Sequence, residues 1–156
     1  MRKLLVVVLA GCNQGLAPPP TVAVTFDTAP DMKCGGVYDG QFVWTASHCA
    51  KWWMAVNGVD VEQAISRWDV RDLARAKPVQ PLTMEPVTIR CDVPGVAYVL
   101  GRQVTVDMAT TDHVVLSGYD AANGASGHPV YDGDGKVFAV LVASQPGRVL
   151  AARMCP

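Results

Sequence analysis

From Thr21 onward the apolar residues gather in short runs rather than long stripes, and turn-forming residues separate them. The runs cover 22–26, 36–44, 54–56, 87–91, 96–100, 103–106, 114–116 and 137–142. Gly, Pro, Asp and Asn punctuate them, as in Asp92-Val93-Pro94-Gly95 and Asp132-Gly133-Asp134-Gly135. Several short strands at this spacing predict a β-sandwich or barrel. The Asp-Gly pairs between Tyr131 and Val137 predict a hairpin turn, because such pairs supply positions of positive φ. One stretch breaks the pattern. Behind Asp60, a residue that can cap a helix, Val61, Ala64, Ile65 and Trp68 recur at helical spacing, which predicts a short helix or an irregular loop over 60–68. No internal repeat is visible in the sequence.

The N-terminus reads differently. A basic Arg2-Lys3 precedes the unbroken apolar run Leu4-Leu5-Val6-Val7-Val8-Leu9. That run is far short of the about 20 residues needed to span a bilayer, and it suits the apolar region of a signal peptide. It closes on Leu9-Ala10-Gly11-Cys12, which resembles the lipobox of bacterial lipoproteins. The resemblance implies that residues 1–11 are a leader removed by cleavage and that Cys12 is lipidated as the new N-terminus. Residues 12–20, with Pro18-Pro19-Pro20, read as an extended tether. The domain that must fold is then 21–156. Removal of Arg2 and Lys3 takes away two positive charges and moves the formal charge from −1 to −3. Asn13 after the lipidated residue implies, by analogy, the periplasmic side of an outer membrane.

Composition narrows the remaining choices. Half of the residues are hydrophobic and 17% are charged, so the chain has material for a core and lacks the signature of disorder. Near-neutral charge argues against a nucleic-acid binder that relies on bulk basicity. Fourteen Gly and eleven Pro suit a turn-rich β protein. With Cys12 set aside, the remaining cysteines are Cys34, Cys49, Cys91 and Cys155. Export places them in an oxidising compartment, and none is spaced like a metal-binding pair, so disulfides are expected and no metal or other cofactor. Four cysteines allow three pairings.

Two segments carry chemistry. Cys34-Gly35-Gly36 opens a strand-like run to Trp44, followed by Thr45-Ala46-Ser47-His48-Cys49; further on stands Asn123-Gly124-Ala125-Ser126-Gly127-His128-Pro129. Together these resemble the trypsin-like serine peptidases of the chymotrypsin fold, over about residues 30 to 145. The resemblance implies an all-β fold of two six-stranded-type antiparallel barrels with minimal loops and an active site between them. His48 would be the general base, Ser126 the nucleophile, and Asp72, in Arg71-Asp72-Leu73-Ala74, the acid that orients the imidazole; Asp69 is the substitute candidate. The backbone N–H groups of Gly124 and Ser126 would form the oxyanion hole. A serine hydroxyl is a weak nucleophile and needs such a base and such donors to attack a carbonyl. The resemblance also implies that Cys34 and Cys49 close the loop around His48, which leaves Cys91 and Cys155 to pair.

Three features bear on activity and specificity. Ala125 replaces an acidic residue that serves zymogen activation in digestive relatives, so no switch of that type is expected. His128 stands where the pattern has a second Gly; positive φ at that position would strain it, and its ring would crowd the leaving-group side. Asp120, six residues before Ser126, resembles in its offset the carboxylate that selects Arg or Lys in trypsin, although Asp120-Ala121-Ala122 also resembles the corresponding stretch of HtrA-type peptidases, where it has no such role. Val142, Ala143 and Ser144 form the strand expected to pair with extended substrate. The resemblance therefore implies a membrane-tethered serine endopeptidase that hydrolyses peptide bonds of envelope proteins or peptides, with no nucleic-acid partner. A catalytically inactive lipoprotein of the same fold, acting as a peptide- or protein-binding module, is the alternative.

Overall fold

The computed structural model describes residues 18–27, 29, 32–120 and 125–155; the expected leader and the lipidation site at Cys12 lie outside them. Twelve strands form two closed antiparallel barrels among these residues. The first barrel holds β1 (Val22–Phe26), β2 (Cys34–Tyr38), β3 (Val43–Ala46), β4 (Met54–Val56), β5 (Val59–Trp68) and β6 (Leu73–Pro78), closed in the order β1-β2-β3-β6-β5-β4. The second holds β7 (Ala97–Val99), β8 (Arg102–Ala109), β9 (His113–Ser117), β10 (Pro129–Tyr131), β11 (Val137–Gln145) and β12 (Arg148–Arg153), closed as β10-β11-β12-β9-β8-β7. The two orders are the same topology read in opposite directions. Closure pairs every strand on both sides, so neither barrel leaves a bare edge.

Alternation sets the interiors. In β1, Val22, Val24 and Phe26 are buried while Ala23 and Thr25 face outward. Val37, Val43, Met54, Val56 and Leu73 complete the first core, and Val99, Val114, Leu116, Phe138 and Val149 fill the second. Tyr131, Val137, Val140, Val142, Ala152 and Met154 of the second barrel pack with the first core and join the barrels.

Three expectations need correction. The segment 60–68 is neither helix nor loop: it is most of β5, paired to β6 with a register shift between Val61 and Ile65. Its β-branched residues fit a pleated surface, and pairing on both sides outweighs a helical spacing that has only one apolar stripe to offer. The run 36–44 is not one strand. Asp39 breaks it into β2 and β3 by accepting the N–H groups of Gln41 and Phe42 at 2.8 and 2.7 Å, with Gly40 at φ +100°. The run 87–91 is no strand either; it makes one isolated parallel bridge, Ile89 to Val137.

The hairpin between β10 and β11 forms as expected, with Gly135 at φ +80°. Its Asp132 is buried, accepting the N–H groups of Asp134 and Lys136 at 2.8 and 2.9 Å on one oxygen and Arg90 Nη1 at 2.8 Å on the other. Burial works against the charged carboxylate, yet those hydrogen bonds together hold its pKa below the ordinary value. A depressed carboxylate contributes stability above its unfolded pKa and loses it as pH falls through the folded value. Thermal melts of Asp132→Asn should therefore show a Tm several degrees lower than wild type at pH 7, with the gap closing well below pH 4. A constant gap across that range would remove the charge from the explanation.

Candidate active site

The loop carrying His48 follows from how β3 ends. β3 pairs with β6 up to Ala46–Leu73, and the chain then makes a single 3-10 turn, Ser47–Cys49. Cys49 is bonded to Cys34 of β2, with Cα atoms 6.2 Å apart, which ties this turn to the barrel wall. Arg67 of β5 adds a second brace, donating from Nη1 to the Ser47 carbonyl at 2.8 Å and Ser47 Oγ at 3.0 Å, and from Nη2 to the Ala50 carbonyl.

Asp72 arrives from the other side. The 3-10 turn Asp69–Arg71 ends at Asp72 in the left-handed region, φ 56° and ψ 38°. A non-Gly residue there is uncommon and persists only where its surroundings hold it. Here the Asp72 carbonyl accepts Ser47 N–H at 2.7 Å, and Oδ1 accepts His48 N–H at 2.9 Å. Oδ2 lies 2.6 Å from His48 Nδ1, and His48 Nε2 lies 3.0 Å from Ser126 Oγ. A carboxylate accepts only, so the proton between Asp72 and His48 sits on Nδ1. That leaves Nε2 of the neutral ring as the acceptor facing the serine hydroxyl. Asp69 does not join this row; its backbone carbonyl accepts Asp72 N–H at 3.1 Å.

Ser126 stands on a turn pressed against the first barrel. Its carbonyl accepts Gly35 N–H at 2.8 Å, and Gly127 N–H donates to the Leu141 carbonyl at 2.7 Å. The positive φ of this turn falls on Gly127, at +83°, and not on His128. The strain expected at His128 is therefore absent: the left-handed position is the residue before it, which is Gly. His128 turns its ring towards Gly35, with Nδ1 3.0 Å from the Ala125 carbonyl, and lines an open groove of about 530 Å³ with Thr25, Met32 and Lys33.

Asp120, the expected specificity residue, is exposed, and its Oδ1 accepts Gly147 N–H, from the β11–β12 turn, at 3.1 Å. Val142 is buried between the barrels, whereas Ala143 and Ser144 are exposed on β11, opposite Leu150 and Val149 of β12. Gly124 lies outside the described residues. Cys91 and Cys155 form the second disulfide, with Cα atoms 5.1 Å apart. Two disulfides are the mark of a protein that folds in an oxidising compartment. Sequence reasoning missed Arg67 and Arg71: an arginine that braces carbonyls leaves no motif, and only its partners in space give it away.

No protein-family model matches the chain, and no curated protein sequence matches it significantly. Solved structures do. The active form of a protease from M. tuberculosis superposes with a TM-score of 0.64 at 14% identity, covering 88% of this chain and 77% of that one. A Glu endopeptidase gives 0.65 at 14% identity over 86% and 84%. A serine protease of human pathogenic astrovirus gives 0.60 at 18% identity over 87% and 90%. These are serine proteases of the trypsin and chymotrypsin type, and with two six-stranded barrels closed in the same topology this chain has the chymotrypsin fold.

Proposed function

We propose that this protein is a serine endopeptidase, exported and held at the bacterial envelope by lipid on Cys12. The observation that carries the reading is the continuous row from Asp72 through His48 to Ser126, at 2.6 and 3.0 Å. In that row His48 Nε2 takes the hydroxyl proton as Ser126 Oγ bonds to the substrate carbonyl carbon. The same proton passes to the leaving amine as the carbon–nitrogen bond breaks, which leaves an acyl ester on Ser126. Water, deprotonated by His48, then releases the acid and restores the hydroxyl. Asp72 holds the Nδ1–H tautomer throughout and stabilises the imidazolium. The N–H groups of Gly124 and Ser126 would receive the developing oxyanion, and 142–144 would pair with the extended substrate.

A preference for Arg or Lys at the cleaved bond rests on Asp120. Its hydrogen bond to Gly147 favours a second role, bracing the β11–β12 turn. Peptides with Arg or Val at the cleaved bond decide between the two: equal or reversed rates leave Asp120 with the turn alone.

The activity itself is tested with a fluorophosphonate probe on the full-length protein. Wild type should label and Ser126→Ala should not. A wild type that carries both disulfides and still fails to label overturns the enzyme reading and leaves a peptide-binding module of the same fold.

A further inference from the structure

Arg71, the residue before Asp72, is a buried cation of the first barrel whose described partners all belong to the second. Its Nε donates to Asp112 Oδ1 at 2.9 Å, and its Nη1 donates to the carbonyls of Arg153 at 3.1 Å and Cys155 at 2.6 Å. Its own carbonyl meets His113 Nε2 at 3.1 Å. Both the side chain and the backbone of this residue are therefore fastened across the barrel interface. Cys155 lies beyond the end of β12 and is tied back to Cys91 by the disulfide, while Arg153 Nη2 donates to the Cys91 carbonyl at 2.9 Å.

Being next to Asp72 in the chain gives this fastening its importance. Asp72 belongs to the first barrel and holds a left-handed backbone, while Ser126 belongs to the second, so the row depends on how the two barrels sit against each other. A buried arginine that only filled space would carry an unneeded desolvation cost. One that grips an acid and two carbonyls in different directions uses the guanidinium fork in a way a lysine cannot.

We infer that Arg71 is a positioning residue for the triad acid: it fastens the turn Asp69–Arg71 to the C-terminal end of the second barrel, with the Cys91–Cys155 disulfide as the far end of the same brace. The inference rests on the proposed role of Asp72. Displacement of a catalytic group by about 1 Å can cost on the order of 100-fold in rate.

Arg71→Ala should lower kcat by about 10- to 100-fold while KM stays within about threefold. Arg71→Lys, which keeps the charge and loses the fork, should fall between Ala and wild type. The double variant Cys91→Ser/Cys155→Ser should lower kcat in the same direction. Loosening the carboxylate also weakens the Asp72–His48 hydrogen bond that orients the imidazole. The charged and titratable groups around this brace are Asp69, Asp112, His113 and Arg153. Asp112→Ala, which removes a half-exposed partner and leaves Asp69 and His113 in place, should reproduce the loss of kcat in a protein that folds.

A second readout does not need turnover. The short Asp72–His48 contact should give a low-field Nδ1–H proton resonance in wild type that broadens or moves in Arg71→Ala and Asp112→Ala. If both variants lose thermal stability but keep the wild-type kcat and resonance per folded molecule, Arg71 is structural only and the inference fails. A wild type that shows the resonance but no probe labelling would sink the enzyme reading alone, and the variants' resonances would then decide the positioning role by themselves.

Discussion

Asp72→Asn should reduce kcat by about 10⁴ while leaving the fold intact. The substitution keeps the size of the side chain, but its single oxygen can accept only one of the two groups that Asp72 accepts, the His48 backbone N–H at 2.9 Å or the ring Nδ1–H. What it loses is the charge 2.6 Å from Nδ1. If the amide oxygen faces the ring, the imidazolium formed during attack has no counter-charge. If the amide nitrogen faces it, Nδ1 must become the acceptor, the proton moves to Nε2, and the ring can no longer take the hydroxyl proton of Ser126. Either orientation disables the base. Asp69→Asn is the matched comparison: its described contact with Asp72 is through a backbone carbonyl outside the row, which the substitution preserves, so turnover should stay close to wild type. Steady-state turnover of a peptide ester by the two variants checks this, and a collapse in Asp69→Asn with an active Asp72→Asn would reverse the assignment of the acid.

The unequal legibility of these residues has a physical basis. The strand β1, the strand β4 and the Asp132 turn could be read from the sequence because each is local: an apolar run bounded by its own turn residues. His48 and Ser126 stood out because chemistry at a serine constrains the residues around it. β5 was misread because its apolar spacing suits either a helix or a half-buried strand, and the choice is made by β4 and β6 on its two sides. β12 was missed for a related reason. Arginines bracket its short apolar stretch, Arg148 exposed and Arg153 half-buried, and its place is decided by β9 and β11 on its two sides. The repeated topology of the two barrels is likewise invisible in the sequence. Barrel closure asks for alternation and turns in the right order, not for the same residues, so two halves can share an architecture without sharing letters. The left-handed backbone at Asp72 is held by Ser47 and His48 of its own barrel and the brace at Arg71 by the other barrel, so both depend on partners far away in the chain.

Gly127→Ala should disrupt both the site and the barrel interface. A Cβ at this position would lie 1.8 Å from the Gly35 carbonyl oxygen and 2.6 Å from Thr45 Oγ1. Neither neighbour can yield. Gly35 sits in β2, paired with Ala23 of β1, and its carbonyl is already held by Thr45 Oγ1 at 2.7 Å. Its N–H also holds the Ser126 carbonyl, so a retreat by Gly35 pulls away the turn that presents the nucleophile. Backbone strain at φ +83° adds to the clash, and together they should cost about 3 kcal/mol or more. Gly135→Ala separates the two contributions. That residue has φ +80° and nothing within 4 Å of the added carbon, so it suffers only the conformational strain of about 1 kcal/mol. Urea denaturation of the two variants, with probe labelling of each, gives the comparison. Gly135→Ala should label like wild type with a modest loss of stability; Gly127→Ala should lose labelling and much more stability. Equal losses in the two variants would mean that the close approach of Gly127 to Gly35 is not what holds Ser126 against the first barrel.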